Sequence, residues 1–92
     1  MADIYKGDLG IKLILDVGVD ISSATRMSIL YRKPYGGTGT WAAVMETGTS
    51  VSYTSLTDEF NEVGIWKVQA RVTTPLWTQS GAIAKVNVLP AL

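Results

Sequence analysis

The sequence contains no cysteine and no histidine. Without cysteine the chain has no disulfide, no thiolate metal ligand and no thiol nucleophile. Without histidine it lacks the commonest general base, the commonest metal ligand and the side chain that titrates near neutral pH. Most of the chemistry of small enzymes and metal sites is thereby excluded. The sequence therefore predicts a protein that is not an enzyme and that holds no cofactor or metal.

Charge is scarce and balanced. Charged residues make up 17% of the chain, with 8 Lys and Arg against 8 Asp and Glu, so the formal net charge is zero. Nucleic acids and anionic membranes attract proteins with a basic surplus, so we expect neither as a partner. No apolar run approaches the ~18 residues of a membrane-spanning helix. Residues 1–8 contain no apolar stretch of a signal peptide, which predicts synthesis in the cytoplasm.

What the chain does contain is material for one β-rich domain. Its 92 residues are 47% hydrophobic, which predicts a single domain over residues 1–92. The 9 Val, 7 Ile and 10 Thr are β-branched and fit a pleated sheet better than a helix.

The hydrophobic pattern has a period of two, which is typical of half-buried strands. The clearest case is residues 65–72, and further runs lie at 11–17, 25–33, 40–46, 50–54 and 82–89. No connection is long enough for a crossover helix, so the strands are expected to be antiparallel. The prediction is an all-β antiparallel sandwich of about seven short strands, with a barrel of five or six strands as the alternative. Residues 55–63 are acidic and favour one helical turn.

Residues 56–70 resemble the corner before the penultimate strand of immunoglobulin-like domains. An acidic turn is followed by Gly64, by an aromatic residue at Trp66 and by a buried residue at Val68. The family usually has Tyr at the first of these two positions, and antibody domains have Cys at the second. The resemblance implies an immunoglobulin-like sandwich without the disulfide and without the tyrosine hydroxyl that bonds the corner.

Residues 4–88 resemble the small immunoglobulin-like structural proteins of tailed bacteriophages and the N-terminal domains of phage baseplate upper proteins. The motifs that carry this resemblance lie at residues 7–10, 20–25, 32–37 and 64–70, and Tyr35 departs from the usual Asp. The resemblance implies a virion protein, foremost a capsid decoration or accessory protein. It would dock on capsid, neck or tail subunits through loops and a sheet face, with self-association as a further option. The alternatives are a tail or baseplate component and a carbohydrate-binding adhesion module.

Three residues are the predicted partner-binding residues. Leu76 and Trp77 lie in the polar loop 73–81 with no apolar stripe to join, so they are either tucked under the sandwich or displayed. Tyr35, beside the glycine-rich loop, is a weaker candidate. A glycan platform would use Tyr35, Trp41 or Trp77, although the alternating pattern assigns Trp41 and Trp66 to the core.

Carboxylates and glycines suggest other sites, and each has a simpler interpretation. Asp8, Asp16 and Asp20 could supply oxygen ligands for calcium, but they lack the spacing of a calcium loop and favour turns. The acids within 58–62 could be paired for glycoside hydrolysis, but they favour the start of a helical turn. Residues 36–40 lack the Lys-Ser/Thr of a phosphate loop and favour a hairpin loop.

Edge strands are the remaining feature, because a small sandwich leaves unpaired backbone groups along its edges. Lys12, Asp16 and Lys85 lie on the first and last predicted strands and are expected to blunt association. The alternative is that these edges add to a neighbour's sheet.

Overall fold

The computed structural model describes residues 2–8, 10–55 and 60–90. Nine strands lie within them: β1 (Ala2–Tyr5), β2 (Lys12–Asp16), β3 (Arg26–Arg32), β4 (Thr38–Ala42), β5 (Val44–Thr47), β6 (Ser50–Thr54), β7 (Gly64–Thr73), β8 (Thr78–Ser80) and β9 (Ala84–Leu89). The helical turn predicted at 55–63 falls mainly on residues 56–59, which lie outside the described residues. Among the described residues, no helix is long and apolar enough to cross a bilayer.

The strands form two sheets that pack as a sandwich. The first has the order β1-β9-β7-β3-β4, with β8 beside β7, and the second has the order β2-β6-β5. The predicted all-β, immunoglobulin-like sandwich is confirmed. One pairing differs from the antiparallel expectation, because β1 runs parallel to β9 with Ile4 opposite Val88. These are the first and last strands, so the whole intervening domain serves as the connection that a parallel pair requires.

The strand boundaries differ from the prediction in three places. β1 and the short β8 were not predicted. The run predicted as one strand at 40–46 is two strands, β4 in the first sheet and β5 in the second. The chain crosses between the sheets at Ala43, whose N–H donates to the carbonyl of Met27 at 3.2 Å. A period-two pattern continues through such a crossing, so it does not reveal which sheet a segment joins.

The core lies between the sheets and is richest in aromatic side chains at one end. Trp41 on β4 is 7% exposed and stacks on Tyr31 of its own sheet at a centroid distance of 4.4 Å. It also stacks on Tyr53 of the other sheet at 4.9 Å, with ring planes 6° apart. Phe60 and Trp66 complete the cluster and are fully buried. The assignment of Trp41 and Trp66 to the core is confirmed.

Trp66 also forms the corner hydrogen bond that the loss of a tyrosine hydroxyl was expected to remove. Its indole N–H donates to the carbonyl of Glu62, four residues upstream, at 2.9 Å. This bond connects the same parts of the corner as the tyrosine hydroxyl does in immunoglobulin domains. Gly64 fits the corner because its φ is +136° and a Cβ would lie 2.8 Å from the ring of Pro34.

Candidate functional site

In the loop between β7 and β8, Leu76 and Trp77, which were both predicted to bind a partner, differ in exposure. Leu76 is 91% exposed, whereas Trp77 is half-buried and packs against the core. The Thr74 hydroxyl fixes this turn by accepting hydrogen bonds from the backbone N–H groups of Leu76 at 3.2 Å and Trp77 at 3.1 Å. Of the two, Leu76 is displayed and Trp77 is largely tucked in.

Tyr35 lies far from that loop. It is 82% exposed in the connection that follows β3. β3 and β7 are antiparallel, so the end of β3 lies beside the start of β7, whereas Leu76 follows the end of β7. Tyr35 and Leu76 therefore occupy opposite ends of the sandwich and do not form one site.

The three aspartates considered for calcium are turn residues, as the simpler interpretation predicts. The side chains of Asp8, Asp16 and Asp20 accept backbone hydrogen bonds from Tyr5, Gly18 and Ser22 at 2.9–3.0 Å. The N–H of Ser22 holds the pKa of Asp20 below its ordinary value. Within the described residues, no group of three or more acidic side chains is placed to hold a metal ion.

The acidic segment 58–62 is described only in part, since Asp58 and Glu59 lie outside the described residues. Glu62 forms an ion pair with Lys33, with 3.5 Å between Nζ and Oε2. The same Nζ lies 3.2 Å from Oδ1 of Asn61 and 5.6 Å from the centre of the Trp66 ring. Glu62 is therefore part of the corner structure.

A line of three cations crosses the outer face of the six-stranded sheet, which is the sheet formed by β1, β9, β7, β3, β4 and β8. Lys67 on β7 is directly opposite Lys85 on β9 and directly opposite Arg32 on β3. All three are exposed, and their neighbours in each strand point into the core. Residues directly opposite on one face of an antiparallel pair have Cβ atoms roughly 5 Å apart, and like charges there are destabilising. We call these three residues the basic row.

The cations of the basic row have no carboxylate partner in the part of the chain that the structure describes. The ion pairs in that part join Lys12 to Glu46 and Lys33 to Glu62, both away from this face. Of the strands of this sheet, β3, β4, β7, β8 and β9 contain neither Asp nor Glu, and the edge strand β1 contains one acid, Asp3, in register with Asn87. With Arg26 and Arg71, which share the outer face, five of the chain's 8 Lys and Arg lie here. The zero net charge thus conceals a basic surface.

A shallow hollow of about 410 Å³ adjoins the basic row. Leu30 and Gln69 are opposite each other at its floor, and Thr40 and Ile83 line its sides. The amide of Gln69 is held by a hydrogen bond from Nε2 to the carbonyl of Gly81 at 2.8 Å. Arg32 and Lys67 line the hollow, and Arg71 lies two residues beyond Gln69 on the same face of β7, outside the lining. The surface combines positive charge with an apolar centre.

The basic row is not visible in the sequence, because Arg32 and Lys67 are 35 positions apart and Lys67 and Lys85 are 18 apart. Only the pairing of their strands brings them together. A signal was present nonetheless. The outward positions of the strands predicted at 25–33, 65–72 and 82–89 contain cations and neutral residues but no acid. Charge counted by predicted face, rather than over the whole chain, indicates a basic surface.

The fold and this surface define the chain as an immunoglobulin-like β-sandwich with a basic sheet face. It is similar over its whole length to CopC from Methylosinus trichosporium OB3b, known from a crystal structure. The TM-score is 0.64 with 16% sequence identity, and the match covers 100% of this chain and 88% of that one. No protein-family model matches the chain. No curated protein sequence matches it either. At this identity the likeness establishes the fold alone.

The role predicted for the chain in a phage virion is wrong by this comparison. A solved structure that shares its fold over the whole chain is CopC of Methylosinus trichosporium OB3b, which is not a capsid, tail or baseplate protein. The adhesion alternative also fails on geometry. Its aromatic platform was to be built from Tyr35, Trp41 or Trp77, but Trp41 is buried in the core and Trp77 is half-buried against it, which leaves Tyr35 alone at the other end of the sandwich. Stacking on a sugar requires exposed rings on one surface.

Proposed function

We propose that the chain is a non-enzymatic binding module that docks an acidic protein surface on the outer face of its six-stranded sheet. The observation that carries the proposal is the basic row, in which three cations are directly opposite one another with no carboxylate between them. Such a row lowers the stability of the free protein. An anionic partner would remove that repulsion, so the arrangement is better suited to binding than to folding.

The chemistry of the face favours a protein over a nucleic acid. Bases stack on exposed aromatic rings, but Tyr31, Trp41 and Trp66 on these strands all point into the core. The hollow between the cations is lined by Leu30 and Ile83, which suits an apolar side chain of a partner. Protein interfaces combine an apolar centre with a charged rim and are enriched in arginine. Carboxylates of a partner would meet Arg32 and Lys67 on one side of the hollow and Arg71 on the other.

Nuclear magnetic resonance titration tests the proposal, with an octaglutamate peptide as the probe. We expect the backbone amides of residues 30–32, 67–69 and 85 to shift in about 20 mM salt, and the shifts to shrink as salt rises toward 0.2 M because exposed charges are then screened. The triple variant Arg32→Gln, Lys67→Gln, Lys85→Gln should raise the dissociation constant at least about tenfold.

Lys6→Gln is the matched control, because Lys6 is exposed in the turn after β1. It should change the dissociation constant by less than about twofold. The proposal fails if the shifts map outside this face, or if the triple variant binds as tightly as the parent. Tighter binding of an oligothymidine of equal charge would replace the acidic protein with a nucleic acid as the partner.

A further inference from the structure

The second sheet has an open edge at β2. In the described part of the chain, β2 pairs with β6, where Leu13 is opposite Tyr53 and Leu15 is opposite Val51. The N–H of Val17 continues this ladder to the carbonyl of Thr49 at 2.8 Å. The odd-numbered residues therefore direct their backbone groups to β6. Lys12, Ile14 and Asp16 direct theirs to the opposite, open side.

The sequence of this edge is complementary to itself. Lys12 and Asp16 have opposite charges and lie two residues before and after Ile14. If two β2 strands run antiparallel with Ile14 opposite Ile14, Lys12 of each copy is opposite Asp16 of the other. Lys12 is already paired with Glu46 of its own chain at 2.8 Å, so in the dimer its ammonium group would be shared between these two carboxylates. Opposite charges in such cross-strand positions are stabilising. Lys12 and Asp16, which were expected to hinder association at this edge, thus favour this register and oppose most others.

We propose that a second copy of this chain pairs with β2 about a two-fold axis, which joins the two three-stranded sheets into one sheet of six. A two-fold interface requires a surface that matches itself, as this edge does. The proposal concerns a different sheet from the basic row and does not depend on it.

The surroundings of β2 suit this pairing. Ile14 is 55% exposed on the outer face and would be covered by its twin. Asp16 accepts the N–H of Gly18 with Oδ1 at 2.9 Å, and it forms no ion pair within the described residues. A cleft of about 500 Å³ runs between β2 and the start of β9, so the edge is open along Lys12–Leu15. Gly81 lies beside the backbone carbonyl of Asp16 and limits access to it. The backbone hydrogen bonds between the two copies would therefore form at Ile14, and Lys12 and Asp16 would interact through their side chains.

Sedimentation velocity measures the association. One short strand per copy buries less than the standard interface of about 1,600 Å², so we expect a dimer that forms between about 0.1 and 1 mM. Lys12→Asp alone and Asp16→Lys alone should each remain monomeric, because each places like charges opposite one another. An equimolar mixture of these two variants should form a dimer, because every opposing pair is then one acid and one base.

A structural side effect of either substitution would not be corrected by mixing, so the mixture separates pairing from misfolding. The proposal is overturned if the parent chain stays monomeric at 1 mM or if the mixture does.

A backbone variant provides a second test. Ile14→Pro removes the N–H that points to the open side, a position at which an edge strand tolerates proline. It should abolish the dimer, whereas Ile14→Val should weaken it less than about threefold because it keeps the N–H and most of the side chain. A dimer that persists in a folded Ile14→Pro variant would contradict pairing through β2.

Discussion

The lysines on the outer faces of the two sheets differ in their charged neighbours. On the three-stranded sheet, Lys12 reaches across to Glu46 with 2.8 Å between Nζ and Oε1, so its charge is neutralised within the chain. On the six-stranded sheet, Lys67 is opposite two further cations and has no acid beside it among the described residues. Both faces belong to the same sandwich. The first face is arranged for the stability of the free protein, and the second is arranged for a partner that supplies the missing negative charge.

The largest expected effect is a loss of stability when the packing between the two sheets is weakened. Trp41 belongs to the six-stranded sheet but stacks on Tyr53 of the other sheet. Trp41→Ala should lower the free energy of unfolding by about 3–5 kcal/mol, because it leaves a large cavity in the aromatic cluster. Urea denaturation measures the loss. The control Leu76→Ala, at an exposed loop position, should stay within about 0.5 kcal/mol.

The next effect concerns the register of the basic row. β7 begins at Gly64, directly opposite Val88, and that register places Lys67 opposite Lys85. Gly64→Ala should destabilise the fold by about 1–3 kcal/mol, because its positive φ strains any other residue and a Cβ would collide with Pro34. Gly48→Ala is the control, since its φ is ordinary and a Cβ there meets nothing. Equal Tm values for the two variants would contradict the strained corner.

Two single substitutions, one on each outer face, should change the free energy of unfolding in opposite directions. Lys67→Gln relieves like-charge repulsion and should raise the free energy of unfolding by roughly 0.2–1 kcal/mol at low salt. Lys12→Gln removes an exposed ion pair and should lower it by at most about 0.5 kcal/mol. Thermal unfolding at low and high salt measures both changes. If Lys67→Gln is destabilising, the row does not repel itself as described.

The smallest effect is the titration of Glu46. The hydrogen bond from Lys12, with a second from Ser52, holds the pKa of Glu46 below its ordinary value of 4.5. Its contribution to stability is therefore present above pH 4.5 and is lost as the pH falls through the lower, folded-state value. A carboxyl-detected titration should show the pKa of Glu46 rising toward its ordinary value in Lys12→Gln. An unchanged pKa would mean that Lys12 does not neutralise this face.

Strand positions could be predicted from the sequence where one strand has one buried face, as in β2 and β7. The pattern was insufficient where β4 and β5 follow each other into different sheets, because alternation does not record a change of neighbour. The alignment of the basic row was missed for a related reason. Arg32, Lys67 and Lys85 become neighbours only through the pairing of β3 and β9 with β7, and the balanced total charge argued against any basic surface.

The measurement that tests the central claim most directly is cation-exchange retention of two triple variants with equal net charge. Arg32→Gln, Lys67→Gln, Lys85→Gln removes the basic row, and Lys6→Gln, Lys12→Gln, Lys33→Gln removes three cations from other parts of the chain. At pH 7 we expect the parent and the second variant to be retained and the first to elute at clearly lower salt, because a clustered charge binds an anionic surface more strongly than a dispersed one. Elution of both variants at the same salt would show that net charge alone governs binding, and would contradict a dedicated basic face.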